Sequence, residues 1–173
     1  MIESVYLRNS QILASCVEIT EDVLTKAKAV ANGKFTDNGN LISAVGAVVV
    51  ADYYGVDIVE NFKSNSVAYD MLVDDKKIYV GTKQRKWDGP PRAYFEASVN
   101  KTTLHVSEAD YLIFVSLSNF DKAYIMGGMD IDEFLNESSF LPEGAVDPTN
   151  GYKNRKDCLN IAYEKLHNLE VLV

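Results

Sequence analysis

The stretch "YDMLVDDKKIYVGTKQRKW", Tyr69 to Trp87, decides how this chain is read. Two short apolar runs flank the acidic pair Asp74-Asp75, the pattern of a β-hairpin closed by a tight turn. Asp70 opens the first run and Lys83 closes the second. Side chains alternate along a strand, so Gly81 and Lys83 share one face. The hairpin returns Asp70 to the level of Val80 and Gly81. A carboxylate at position 81 would complete a patch of two acids and a lysine. Two carboxylates can hold Mg²⁺ while leaving waters for a phosphate. The metal then lowers the pKa of a bound water, and a lysine stabilises charge on the phosphate. The plain reading is a hairpin in which Gly81 marks a bulge or a close backbone approach.

Outward from the hairpin, the charge is unevenly spread. Lys76, Lys77, Lys83, Arg85, Lys86 and Arg92 fall within 17 residues, with Asp88 the only acid among them. The chain as a whole carries a net charge of −8, so a cationic coat for nucleic acid is excluded and a local basic strip remains. In "KQRKWDGPPR" those cations surround the single tryptophan, Trp87. Basic groups beside an exposed ring suit backbone contact with base stacking; a solvated loop with Trp87 packed on the sheet is the alternative.

The 173 residues fit one domain, 1–173, and 47% hydrophobic content can build a core. The longest apolar run, 44–51, is far short of a membrane span, and the N-terminus lacks the pattern of a signal peptide. Cys16 and Cys158 form no CxxC pair and read as free thiols of a reducing cytoplasm. His105 and His167 stand alone and read as structural. "MGGM" has two glycines but no phosphate-loop lysine.

"EITEDVLTKAKAVANG" predicts a helix capped by Thr20 and ended by Gly33. "KFTDNGN" reads as loop, and "LISAVGAVVVADYYG" as a buried helix ending at Gly55. "VDIVENF" reads as a short strand. "DGPP" ends the hairpin unit. "RAYFEASV" reads as strand or loop, "ADYLIFVSLS" as a buried strand, and "NFDKAYIMGG" as its returning partner. Phe114, Phe120 and Tyr124 read as core of that pair. "MDIDEFLNES" reads as a helix capped by Asp130 or Asp132, and "SSFLPEGAVDPTNGYKNRK" as a long polar loop. The tail fits either a strand to about Ala162 with a short helix after it, or one helix throughout. The expectation is an α/β domain with a mostly antiparallel sheet flanked by helices.

"YDMLVDDKKIYVGTKQR" resembles the signature of the PD-(D/E)XK nuclease-like superfamily, in its small phage-type members. "NLISAVGAVVVADYYG" is similar to the family's first core helix. "ADYLIFVSLSN" with "KAYIMGGMDIDEFLNESSFLPEG" is similar to the strand–strand–helix unit that follows the active site, and "CLNIAYEKLHNL" to the C-terminal end. The resemblance runs from about Asn40 onward. It implies a restriction-endonuclease-like core and metal-dependent hydrolysis of DNA by a cytoplasmic protein of a bacterial or phage-infected cell. It implies Asp70 as Mg²⁺ ligand, Lys83 as phosphate or water stabiliser, and Gln84 as an orienting group. Lys76, Arg85, Lys86, Trp87 and Arg92 are then the expected nucleic-acid contacts. Gly81 and Ala47 stand where relatives carry acids, so cleavage is expected to be weakened or lost. Glu60, Glu96 and Asp110 are the candidates for a relocated ligand. The alternative is a non-catalytic module on the same fold that binds nucleic acid or protein. A homodimer paired through an edge such as "RAYFEASV" is compatible with each reading.

Overall fold

The structure, a computed structural model, describes residues 1–31, 38–59, 69–102, 108–148 and 151–169. Strands β1 (Ile2–Tyr6) and β2 (Leu13–Glu18) open the chain, followed by helices α1 (Glu21–Val30) and α2 (Asn38–Tyr54). Then come β3 (Met71–Val73), β4 (Lys76–Arg85), β5 (Glu96–Asn100), β6 (Tyr111–Ser118) and β7 (Lys122–Asp130). Helix α3 (Ile131–Glu137), β8 (Ser139–Leu141), β9 (Cys158–Ala162) and a 3₁₀ turn (Tyr163–Lys165) complete it. The fold is mixed α/β with mostly antiparallel strands and three α-helices among the described residues. No helix there is long and apolar enough to cross a membrane.

A six-stranded sheet runs β1-β2-β7-β6-β4-β3, and a three-stranded sheet runs β5-β9-β8. Among the described strands only β4 and β6 pair in parallel, because the chain leaves the large sheet after β4, contributes β5 to the small one, and returns. The large sheet buries both faces. On one face Ile78, Val80, Ile113 and Val115 pack against Val23, Ala27 and the 44–51 stretch of α2. On the other, Leu112, Phe114 and Tyr124 pack with Phe134, Ala97, Val99 and Ile161 from α3 and the small sheet. This explains why β6 is apolar at nearly every position.

Local chemistry sets the boundaries. The Thr20 side chain accepts from Val23 N–H and caps α1. That helix ends at Val30, with Gly33 outside the described residues. Helix α2 begins at Asn38, so the end of the expected loop "KFTDNGN" is helical instead. Asp74 and Asp75 both have positive φ (48° and 65°), as the two-residue turn between β3 and β4 requires. Asp130 accepts from Asp132 N–H and is the cap of α3.

Three expectations are corrected or resolved, and the N-terminal segment adds a hairpin whose second strand extends the large sheet through β7. "VDIVENF" contributes one bridge, Ile58 to Met71, and from Glu60 onward it lies outside the described residues. The polar loop after α3 contains β8, which pairs with β9. The tail takes the strand-then-short-helix form. In "MGGM" a Cβ on Gly127 (φ 129°) would collide with the His167 carbonyl. Gly128 and His167 exchange backbone hydrogen bonds of 2.9 Å, so these glycines admit the C-terminal segment against β7.

Candidate functional site

Strand β4 carries Lys76, Lys83, Gln84 and Arg85 of the expected site. Its even-numbered positions face the helices, and a Cβ on Gly46 of α2 would run into the Thr82 hydroxyl. Its odd-numbered positions Tyr79, Gly81, Lys83 and Arg85 face the small sheet. Gln84 pairs in register with Leu117, a residue of the helix-side core, so it stands on the opposite face from Lys83.

Asp70 is 1% exposed. It directly precedes β3, where the β3–β4 ladder ends and the N–H of Val80 would lose its acceptor. The Asp70 carboxylate accepts from that N–H at 2.7 Å. Asp70 N–H donates to Ile78 O at 2.7 Å, and its carbonyl accepts from Val59 N–H at 2.9 Å. The acid therefore continues the edge of the sheet with its side chain.

Gly81 is a close-approach glycine. A Cβ there would lie 2.8 Å from the Phe114 ring, which fills the space that a carboxylate at position 81 would need. Ala47 is fully buried in the helix-side core.

Lys83 ends between the two sheets. Its ammonium donates to Asp147 Oδ2 at 2.6 Å, to Glu96 O at 2.8 Å and to Ser98 Oγ at 3.2 Å. The Lys83 and Asp147 side chains are 14% and 4% exposed. Burial pushes the Lys83 pKa below its ordinary value, and the Asp147 carboxylate opposes that shift. All three acceptors of Lys83 belong to β5 and the loop before β9. Asp70 is bonded along β4 on its β3 side.

The candidates for a relocated ligand are also engaged. Glu96 accepts from Asn160 Nδ2 at 2.9 Å. Asp110 accepts from the Lys77 N–H at 2.8 Å. Glu60 and His105 lie outside the described residues. Among the described residues no three His, Cys, Asp or Glu side chains are grouped to hold a metal ion. One carboxylate with an oxygen bonded to backbone is a poor match to the oxygen shell that Mg²⁺ demands.

The basic strip is different. Arg85, Trp87 and Arg92 converge on one pocket of about 180 Å³, lined also by Arg8, Pro90 and Phe95. "DGPP" turns the chain back over the end of β4, and Pro91 O accepts from Arg8 N–H at 2.9 Å. Arg8 Nη2 donates to the Asp88 carbonyl at 3.1 Å. Arg92 donates to the Tyr94 hydroxyl at 2.6 Å. Trp87 is 52% exposed and leans on Phe95 with ring centroids 5.7 Å apart.

Arg85 forms the floor and is 3% exposed. Its Nε donates to Ser116 Oγ at 2.6 Å and one Nη2 proton goes to Gly89 O at 2.9 Å. Its guanidinium lies over the Tyr124 ring, 5.7 Å from the centroid. Burial lowers its pKa; the Tyr163 and Tyr124 hydroxyls oppose this, and the charge on Arg8 adds to it. Of the remaining expected contacts, Lys86 is exposed and does not line this pocket. Lys76 sits at the hairpin turn, nine strand residues from Arg85, or about 30 Å at roughly 3.3 Å per residue.

Three participants are not among the expected site residues. Asp147 lies 64 positions from Lys83, within a loop read only as polar. Ser98 belongs to a segment read as strand or loop. Arg8 belongs to the unassigned N-terminus; the alternation in "SVYLRNSQILASCVE" about Asn9 (φ 57°) was the available signal for its hairpin.

No protein-family model matches the chain, and no curated protein matches it.

Proposed function

We propose that the chain is a nucleic-acid-binding module, DNA its expected ligand, on a PD-(D/E)XK nuclease-like scaffold that has lost metal-dependent cleavage. The observation that carries this reading is the convergence of Arg8, Arg85 and Arg92 with Trp87 in one pocket. Cations placed around an exposed indole match what single-stranded nucleic acid presents, a phosphate chain with stackable bases. The net charge of −8 reduces long-range attraction, so affinity rests on this local patch.

The loss of cleavage is supported by what the two expected catalytic groups do. Asp70 completes a sheet edge and Lys83 is held by Asp147, Glu96 O and Ser98. Phe114 occupies the side of Gly81 from which a second carboxylate would reach. A restriction-endonuclease-like core is compatible with a mixed sheet carrying both residues and covered by α1 and α2 on one face.

The test is a gel assay with labelled single- and double-stranded DNA in Mg²⁺ or Mn²⁺, read for both shift and cleavage. Retarded, intact DNA is expected, with retardation lost in Arg92→Ala. Cleavage that disappears in Lys83→Ala would overturn the loss of chemistry. Absence of any shift at low salt would overturn the binding function.

A further inference from the structure

We infer that the pocket beneath Trp87 is a built site for one phosphate group, anchored by Arg85. This deepens the nucleic-acid reading and rests on it for the source of the phosphate, although the site's own chemistry can be tested apart from it.

A buried charge in a folded protein is ordinarily paired. Arg85 is 3% exposed, yet among the described residues it has no carboxylate partner, and neither Arg8 nor Arg92 forms an ion pair. Arg8 takes the carbonyl of Asp88, while the Asp88 carboxylate accepts from Asn119 Nδ2 at 3.2 Å. Three guanidinium groups thus line one small cavity with no carboxylate paired to them among the described residues. A guanidinium has five N–H donors, and Arg85 commits two, one each to Ser116 and Gly89. Three donors are left beside the cavity, in the planar arrangement that fits phosphate oxygens. The two committed bonds and the Tyr124 ring fix the plane of the group before any ligand arrives.

Size narrows the ligand. A pocket of about 180 Å³ falls below the roughly 300–1,000 Å³ of drug-sized sites, and suits a phosphate rather than a whole nucleotide. The half-exposed indole of Trp87 stands at the mouth, where a base attached to that phosphate would stack outside the cavity.

Trp87 is the only tryptophan, so its fluorescence reports on the pocket directly. The experiment titrates the full chain with inorganic phosphate, deoxyadenosine 5′-monophosphate and deoxyadenosine, and then with a short single-stranded DNA. Millimolar phosphate and the monophosphate are expected to change the emission and raise Tm, and deoxyadenosine to do neither. Arg85→Met, apolar and of similar reach, should fold, and should weaken monophosphate binding at least tenfold. Arg8→Ala/Arg92→Ala, changed at exposed positions, supplies a second variant and should also weaken it. If phosphate and the monophosphate bind and displace DNA, the nucleic-acid backbone is the source. If they bind and DNA does not, the phosphate site stands and the nucleic-acid function fails. If DNA binds while phosphate and the monophosphate leave emission and Tm unchanged, the phosphate site is overturned and the binding function survives.

Discussion

The ammonium of Lys83 lies 2.6 Å from the carboxylate of Asp147, between two sheets and largely out of water. This pair ties the loop before β9 to the central strand β4. Removing one partner of a buried pair leaves the other charge uncompensated, which costs about 3–5 kcal/mol. Asp147→Asn should therefore lower stability by about that amount in a denaturant titration. Lys83→Met deprives the Asp147 carboxylate, 4% exposed, of its cation and should cost a comparable amount. A large loss in Asp147→Asn with none in Lys83→Met would mean that Asp147 acts through something other than this pair.

The pair also has a signature in pH. The folded-state pKa of Lys83 is below its ordinary value of 10.5. Between those two values the unfolded chain holds a proton that the folded chain has released, so this group's contribution to stability rises with pH. Measured against Lys83→Met, the wild type should gain stability as pH rises toward 10. Buried tyrosines act in the opposite sense at higher pH. Burial pushes Tyr54, Tyr124 and Tyr163 up to about 12, and Tyr111 upward as well. Above pH 10 the unfolded chain releases these protons first, and stability should fall steeply. A wild-type minus Lys83→Met difference that stays flat from pH 7 to 10 would contradict the assignment to Lys83.

Asp70→Ala should cost about 1–3 kcal/mol, because it leaves the buried Val80 N–H without its acceptor. DNA affinity should be unchanged, since the acid stands at the β3 edge and not in the arginine pocket. Denaturant midpoints and DNA titrations on the same preparation check both halves. A large loss of DNA affinity in a folded Asp70→Ala protein would return this residue to the binding site.

Much of this was legible and some was not, for physical reasons. The Asp74-Asp75 hairpin, the α1 cap at Thr20 and the buried β6 are local signals, and each is present in the structure. Arg85, Trp87 and Arg92 are close in sequence and meet in one pocket. Lys83 with Asp147, and Arg8 with Pro91, are contacts made across the fold, and nothing local encodes them. The resemblance implies Gln84 as an orienting group, yet the strand's two-residue period sends it to the face opposite Lys83. Gly81 is required by the Phe114 ring on neighbouring β6, a reason visible only once β4 and β6 are paired.

That last relation is testable. Gly81→Ala should destabilise by about 1–3 kcal/mol, the usual cost of overpacking a filled core. Phe114→Leu alone should also destabilise, and the double variant should lose less than the sum. Strict additivity would mean that Gly81 is not shaped by Phe114. Gly81→Glu should be destabilised by the same contact and should show no gain in Mg²⁺ affinity by calorimetry.

The most direct test of the account measures DNA affinity against salt for the wild type and for Arg8→Ala/Arg92→Ala. The three arginines share one phosphate and Lys86 can contact a second, so log Kd against log salt for a single strand should change with a slope of magnitude roughly 1.4. The double variant should lower that slope and weaken binding at low salt while melting like the wild type. Binding with the same slope and affinity in both proteins would place the nucleic acid elsewhere and contradict the pocket as its site.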